Sequence, residues 1–444
     1  MNSPQISADS ELAHRTIAKV SWRLLPFLFI LYVFNYIDRL NVGAAALTMK
    51  ADLNFSDQAY AFGTSIFFIG YFFFEVPSNL IMERVGARRW IARIMITWGI
   101  ISAGLMFANT EGKFYALRLL LGVAEAGFFP GIILYFTYWF PRPVRARAMS
   151  RFVIATVFSQ IIGNPLAAAL LNLDGTFGLR GWQWLYLLEG LPSVFLGISV
   201  FFILSDNPGK ARWLKEDERE YLVTTLERER QEASATHHMT FADALRSRTV
   251  LQITALFLLL QMCGYGMNFF SNLILQARSG WDKSQILYYM MIPAICSAIA
   301  MLLSGYFSDK IGKRKPFVAL GMAMMGTFFL LSVFTQNPYL TLVCFAFIIA
   351  GQGTFNAPFW TLTTETLTGT AAAGGIAFIN SVGNLGGFFC PNIVGYLKTQ
   401  SGGYESSLVF LSICAFLSMM RLALTLPKTK PVLSPDAKEG IAPV

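Results

Sequence analysis

Histidine is nearly missing from this chain: of 444 residues only His14, His237 and His238 are histidine, and all three sit in polar stretches. Neither a histidine metal site nor a histidine proton relay can be built inside the apolar segments that fill most of the sequence. The five cysteines, Cys263, Cys296, Cys344, Cys390 and Cys414, stand singly in apolar surroundings without Cys-x-x-Cys spacing. That excludes a disulfide framework and a zinc motif and leaves them as small hydrophobes. No nucleophile with a paired base, no metal set and no cofactor loop is visible, so an enzyme is not expected and no cofactor is expected either. Charge is scarce too, at 14% of residues against 55% hydrophobic ones and a mean hydropathy of +0.51, which excludes an ordinary soluble domain of this length.

What is there instead is a series of long apolar runs. About twelve reach the roughly 20 residues that a helix needs to cross a bilayer: roughly 24–46, 59–81, 91–109, 113–138, 149–172, 182–204, 250–277, 286–307, 316–335, 338–361, 372–397 and 406–426. Hydrocarbon cannot satisfy a free backbone N–H or C=O, so the runs are expected to be helices and the fold all-α. A polar insertion divides them six and six. The sequence therefore predicts an N-terminal six-helix bundle over residues 1–204, a cytoplasmic linker over 205–249, and a C-terminal six-helix bundle with a cytoplasmic tail over 250–444. The linker contains KARWLKEDEREYLVTTLERERQEAS, whose mixed Glu/Arg pattern reads as a solvated surface helix with i,i+4 pairs. The first residues, MNSPQISADSELAHR, lack the apolar core of a signal peptide, so the first helix is expected to stay.

Short-loop basic residues set the orientation. Arg15, Lys19 and Arg23, then Arg84, Arg88 and Arg89, then Arg142, Arg145 and Arg147, then Lys310, Lys313, Arg314 and Lys315, and last Lys428 and Lys430 all fall on the side of the N-terminus. The opposite loops hold only Lys50, Lys113, Arg180, Arg278, Lys283 and Lys398. Both termini are expected in the cytoplasm. The same bias accounts for the net charge of +9, so no nucleic acid partner is implied.

Two loops are related. NLIMERVGARR, from Asn79 to Arg89, and GYFSDKIGKRK, from Gly305 to Lys315, each follow the second run of their half. Glu83, Arg84, Gly86 and Arg88 superpose on Asp309, Lys310, Gly312 and Arg314, which marks an internal repeat. A glycine turn flanked by an acid and by basic residues pins neighbouring helices and can act as a gate.

These loops, duplicated across a six-plus-six chain, resemble those of the major facilitator superfamily. The first copy departs from the superfamily pattern, with Asn79 for a glycine, Glu83 for an aspartate and Ala87 for a basic residue. That departure, with NYIDRLNVG and RLLLGVAEAGFFPGIILYFTYWFP, is similar to the organic anion:cation symporter branch of tartrate, phthalate and sugar-acid permeases. The glycine signature of proton antiporters is only fragmentary in IIGNPLAAAL, which weighs against drug efflux.

Charges inside the runs carry the functional reading. At 1.5 Å per residue, Arg118 lies roughly 8 Å and Glu125 roughly 18 Å below the outer face, while Asp38 and Arg39 lie about 21 to 24 Å above the cytoplasmic one. Each intramembrane charge costs at least ~2.5 to 3.5 kcal/mol, so the four must be compensated. Two accounts compete. In the structural one, Asp38 pairs with Arg118 and Arg39 with Glu125 to hold helices together. In the functional one, which the resemblance also implies, Arg39 and Arg118 hold a substrate carboxylate through their planar forks while the acids take up protons. With no histidine at this depth the proton carrier must be a carboxyl group, Glu125 first and Asp38 second. Tyr71 lies at the depth of Glu125, and the resemblance implies that it contacts substrate. Glu75 reads as a gate or packing residue, and Glu189 has no role that the sequence argues. Gly122, Gly127 and Gly131 read as close-packing positions.

The second half offers amides in place of charges: Asn268, Asn272, Asn356, Asn380 and Asn384. Interhelical hydrogen bonding and substrate hydroxyl binding explain them equally. Asn268, Asn380 and Asn384 join the substrate-binding set. The expectation is a proton-coupled symporter importing a small hydroxylated carboxylate such as tartrate or a sugar acid. The alternatives are an aromatic carboxylate symporter and an uncoupled anion facilitator or exchanger. Its expected partners are the organic anion, protons and the lipid bilayer of a bacterial inner membrane, with a monomer as the working unit.

Overall fold

Apolar side chains recur here without a polar face wide enough for water, and the backbone answers with helix throughout. The computed structural model describes residues 3–234, 247–367 and 371–425. In chain order the helices are α1 (Ser3–Asp52), α2 (Asp57–Val85), α3 (Ala87–Gly104), α4 (Glu111–Glu125), α5 (Phe128–Thr137), α6 (Arg142–Val153), α7 (Ala155–Leu171), α8 (Gly181–Ile203), α9 (Glu216–Ser234), α10 (Arg248–Ser279), α11 (Lys283–Tyr289), α12 (Met291–Ile311), α13 (Lys315–Val333), α14 (Pro338–Thr366), α15 (Ala371–Asn384), α16 (Gly386–Ser401) and α17 (Glu405–Thr425). Among the described residues eleven stretches are long and apolar enough to cross a membrane. The twelfth expected crossing is α15 with α16, interrupted at Leu385, where Gly383, Gly386 and Gly387 weaken the helix.

The chain divides into two compact units. One comprises Met1–His237, Tyr265–Ile292 and Asn384–Ser407, the other His238–Gly264, Pro293–Gly383 and Leu408–Val444. In the first, α2 packs along α4 and α16, and α3 along α8. In the second, α13 and α14 run side by side, and Phe257 stacks on Phe359 with centroids 5.0 Å apart.

The crossing expected as one helix over 113–138 is broken at its middle. Ala126 takes an extended ψ of 131° and Gly127 a left-handed φ of 87°, so α4 ends at Glu125 and α5 starts at Phe128. A glycine just past a helix end with a proline, Pro130, close behind is a stop signal. A Cβ at Gly127 would run into the Ser78 hydroxyl. We expect Gly127→Ala to lower the stability of the purified protein by about 1–3 kcal/mol, read as a fall in Tm. Gly131→Ala should be milder, because its Cβ would meet the flexible sulfur of Met82 at 3.1 Å and the φ there is ordinary.

The linker helix is docked, not simply solvated. Glu218 of α9 is 1% exposed; it accepts from Lys19 Nζ at 2.6 Å and the Lys215 amide at 3.0 Å, with Arg15 Nε at 3.5 Å. Burial works against its charge, but Lys19, that amide and Arg15 outweigh it and hold the carboxyl below the usual glutamate range. Further along α9, Glu229 accepts from the Arg142 amide at 2.8 Å and from Arg145 at 3.1 Å. Just before α9, Trp213 stacks on Trp139, centroids 5.5 Å apart. The expected i,i+4 pairing is present in Arg228–Glu232 at 3.4 Å. His237, His238, Lys428 and Lys430 lie outside the described residues.

Candidate functional site

A cavity in the first unit is lined by α1, α2, α4 and the stretch of α10 that belongs to it. Arg39 from α1 and Arg118 from α4 line one cavity with Tyr36, Leu40, Phe67 and Phe68, and with Tyr265, Asn268 and Phe269 of α10. Spacing explains the alignment: Tyr36 and Arg39 are three apart on α1, and Tyr265, Asn268 and Phe269 sit three and four apart on α10.

Glu125, at the broken end of α4, stands behind the lining residue Arg39. Its Oε1 accepts from Arg39 Nε at 2.5 Å and from Asn35 Nδ2 at 2.8 Å. A carboxylate at a helix C-terminus is opposed by the dipole, and these two donors offset that. Arg39 lies over the Tyr71 ring at 4.9 Å and the Phe67 ring at 5.8 Å, while its Nη2 is buried without a hydrogen-bond partner. Arg118 is 2% exposed and makes no ion pair among the described residues. It donates instead through Nε to Gly63 O at 3.3 Å and Nη2 to Thr64 O at 3.1 Å, with its guanidinium 5.0 Å from the Phe67 centroid. Of the two guanidinium groups that line the cavity, Arg39 has a carboxylate partner among the described residues and Arg118 has none.

Of the two ion pairs expected from the structural account, Arg39–Glu125 forms and Asp38–Arg118 does not. Asp38 points away from the cavity, as the 100° step between neighbours on a helix requires. It accepts from Trp98 Nε1 and Ser102 Oγ (2.9 Å) on α3, from Asn41 Nδ2 (3.2 Å) and from Ser193 Oγ (3.4 Å) on α8. Among the amides, Asn268 lines the cavity and Asn384 accepts the Tyr265 hydroxyl at 3.0 Å. Asn272 is spent on a helix contact, donating to Gly43 O at 3.2 Å. Asn356 and Asn380 belong to the other unit. Tyr71 and Glu75 are buried one turn apart on α2. The sequence reading passed over Asn35, Tyr36, Phe67, Phe68 and Tyr265. Asn35 was findable, because it lies four residues before Arg39 and so on the same helix face.

The two related loops are wired differently. In the first, Gly86 has a φ of 99° and packs on Asp206, which accepts from the Arg88 amide at 3.1 Å; the Arg88 side chain donates to Phe201 O. Glu83 and Arg84 are exposed. In the second, Gly312 has a φ of 67°, and Arg314 bridges Asp309, Ser308 Oγ at 3.0 Å and Glu365 at 3.5 Å, with Lys310 over the Tyr306 ring.

Comparison with known proteins sets this geometry in a family. The chain is 40% identical over 423 residues, 95% of its length and 97% of the relative's, to a protein of Agrobacterium vitis that carries the provisional name tartrate transporter. It is also 40% identical over 397 residues, 89% of this chain and 92% of the other, to the quinolone resistance transporter of Acinetobacter baumannii. The crystal structure of a D-xylose-proton symporter shares the fold, with a TM-score of 0.72 at 17% identity over 93% of this chain and 98% of that one. The model of the Major Facilitator Superfamily matches residues 28–391 and again 280–444. The chain is a multi-pass membrane transporter and belongs to the major facilitator superfamily.

Proposed function

We propose that this transporter imports a small organic anion together with protons by alternating access. The observation that carries the reading is the buried, unpartnered Nη2 of Arg39 beside an Arg118 that has no carboxylate partner. A buried charged donor left unmade is costly, and a carboxylate from the cavity would satisfy it with charge-assisted, bidentate geometry. Glu125 is the coupling group in this reading: a substrate carboxylate that engages Arg39 loosens the hold of Arg39 on Glu125, which then takes a proton. Tyr71, Asn268 and Asn384 are assigned to substrate contacts. The loops at Glu83, Arg84, Gly86 and Arg88 and at Asp309, Lys310, Gly312 and Arg314 serve as gates. We place the chain in a bacterial inner membrane as a monomer with both termini cytoplasmic.

Kinship alone does not choose the cargo, since relatives at the same identity are named for tartrate and for quinolone resistance. The charge of the cavity favours an acid, and the fragmentary antiporter motif around Gly163 favours import. Within acids we propose a hydroxylated carboxylate, tartrate-like or a sugar acid. The aromatic lining by Tyr36, Phe67, Phe68, Tyr265 and Phe269 favours the second reading, an aromatic carboxylate. Competition decides between them. In vesicles acidic outside, labelled tartrate should accumulate, and galactonate should displace it better than phthalate or hydroxyphenylacetate. The reverse order would assign the cavity to aromatic acids, and no acid-driven uptake of any of the four would overturn the import proposal.

A further inference from the structure

Behind α1, on the side away from the cavity, two carboxyl groups share a site without a lysine or arginine partner among the described residues. Asp38 and Glu189 are 2% and 1% exposed, on α1 and α8. Every donor given to Asp38 is neutral: the Trp98 indole, the Ser102 and Ser193 hydroxyls and the Asn41 amide. Asn41 also reaches Glu189. Among the described residues no lysine or arginine forms an ion pair with either acid. The other titratable groups acting on the pair are Tyr186, from α8 itself, and Glu125, from α4. Helix α7, which packs along α1, carries no titratable side chain; the arginines of α3 lie in its first seven residues, short of Trp98, and those of α6 precede Phe152, which meets α1 at Tyr32.

The hydrogen-bond count at this site is short by one donor. Glu189 Oε2 and Asn41 Oδ1 are both buried and both without a partner. Two acceptors facing no donor, next to two carboxyl groups in a low-dielectric interior, is the arrangement in which like charges cannot both persist. One added proton removes both faults: it neutralises one carboxylate and supplies the missing O–H.

We propose that Asp38 and Glu189 form a proton-binding dyad that holds one proton between them, with Glu189 as its principal seat and Asn41 as the acceptor of its O–H. Occupancy requires only that a proton from solution bond to a carboxylate oxygen; no other bond forms or breaks. The dyad is separate from Glu125. It includes Asp38, the second carrier expected from the sequence, but does not rest on the coupling role of Glu125, because occupancy is read on the full chain without any transported substrate.

Infrared difference spectroscopy of the purified protein, titrated from acid to alkaline in potassium buffer, tests it through the protonated-carboxyl C=O stretch. A band that persists well above the ordinary carboxylic range is expected in the unsubstituted protein. It should vanish in Glu189→Gln, persist in Glu125→Gln, and in Asp38→Asn titrate at about tenfold higher proton concentration or more, because the dyad is broken. A band unchanged by Glu189→Gln overturns the proposal. So does a band removed at fixed pH by adding sodium, since the oxygen cluster would then be a cation site. The sodium titration needs no variant, so it decides even if the substituted proteins fail to fold.

Discussion

Arg118→Lys and Arg39→Lys are each expected to weaken binding of an organic carboxylate by about 10- to 100-fold, although both preserve charge. The expectation follows from how the guanidinium groups are already employed. Arg118 spends Nε and Nη2 on the carbonyls of Gly63 and Thr64 and has its guanidinium over the Phe67 ring. Arg39 spends Nε on Glu125 and keeps Nη2 unpartnered. A planar fork can anchor to the protein with one edge and present another to a ligand; a single ammonium cannot. Losing a charge-assisted hydrogen bond removes about 1.5 to 3 kcal/mol, which is the stated loss in affinity. Ligand-dependent thermal shift with tartrate, galactonate and phthalate measures it, and the Tm without ligand separates binding from folding. Near-normal affinity for the best of these in both variants would remove the anion-clamp assignment.

Glu125→Gln is expected to leave exchange intact and abolish accumulation. The amide oxygen can still accept from Arg39 and Asn35, so Arg39 keeps its place in the cavity lining. What is lost is the titratable proton. Counterflow of labelled substrate across vesicles preloaded with the same acid should persist within a few-fold. Uptake driven by a pH gradient should stop at equal concentrations, whereas one coupled proton gives about tenfold accumulation per pH unit. Should the variant still concentrate substrate, the coupling proton resides elsewhere, and the Asp38–Glu189 dyad is the next place to look.

The crossings were legible from hydropathy alone, because hydrocarbon leaves a backbone no option but helix. Arg39, Arg118 and Glu125 were legible as a set for a related reason: a charge at that depth must have a partner or a purpose, and few are present. The seven residues from Arg118 to Glu125 put both on one face before any tertiary contact is known. The break after Glu125 was written in Gly127 and Pro130, but apolar continuity masked it.

Depth anticipated the Arg39–Glu125 pair, but the partners that Asp38 and Arg118 meet were not in the sequence. Asp38 and Arg39 are adjacent, and a helix turns them about 100° apart, so one faces the cavity and the other faces α3 and α8 only because of where those helices pack. The same holds for Asn272, which reads as a ligand for hydroxyl groups and is consumed by Gly43 O, and for Glu218, which reads as solvated and is buried against Lys19. Residue type and spacing determine what a side chain can bind and which of its own helix's residues it stands beside. The partner itself comes from another helix, and only packing brings that helix to the right side.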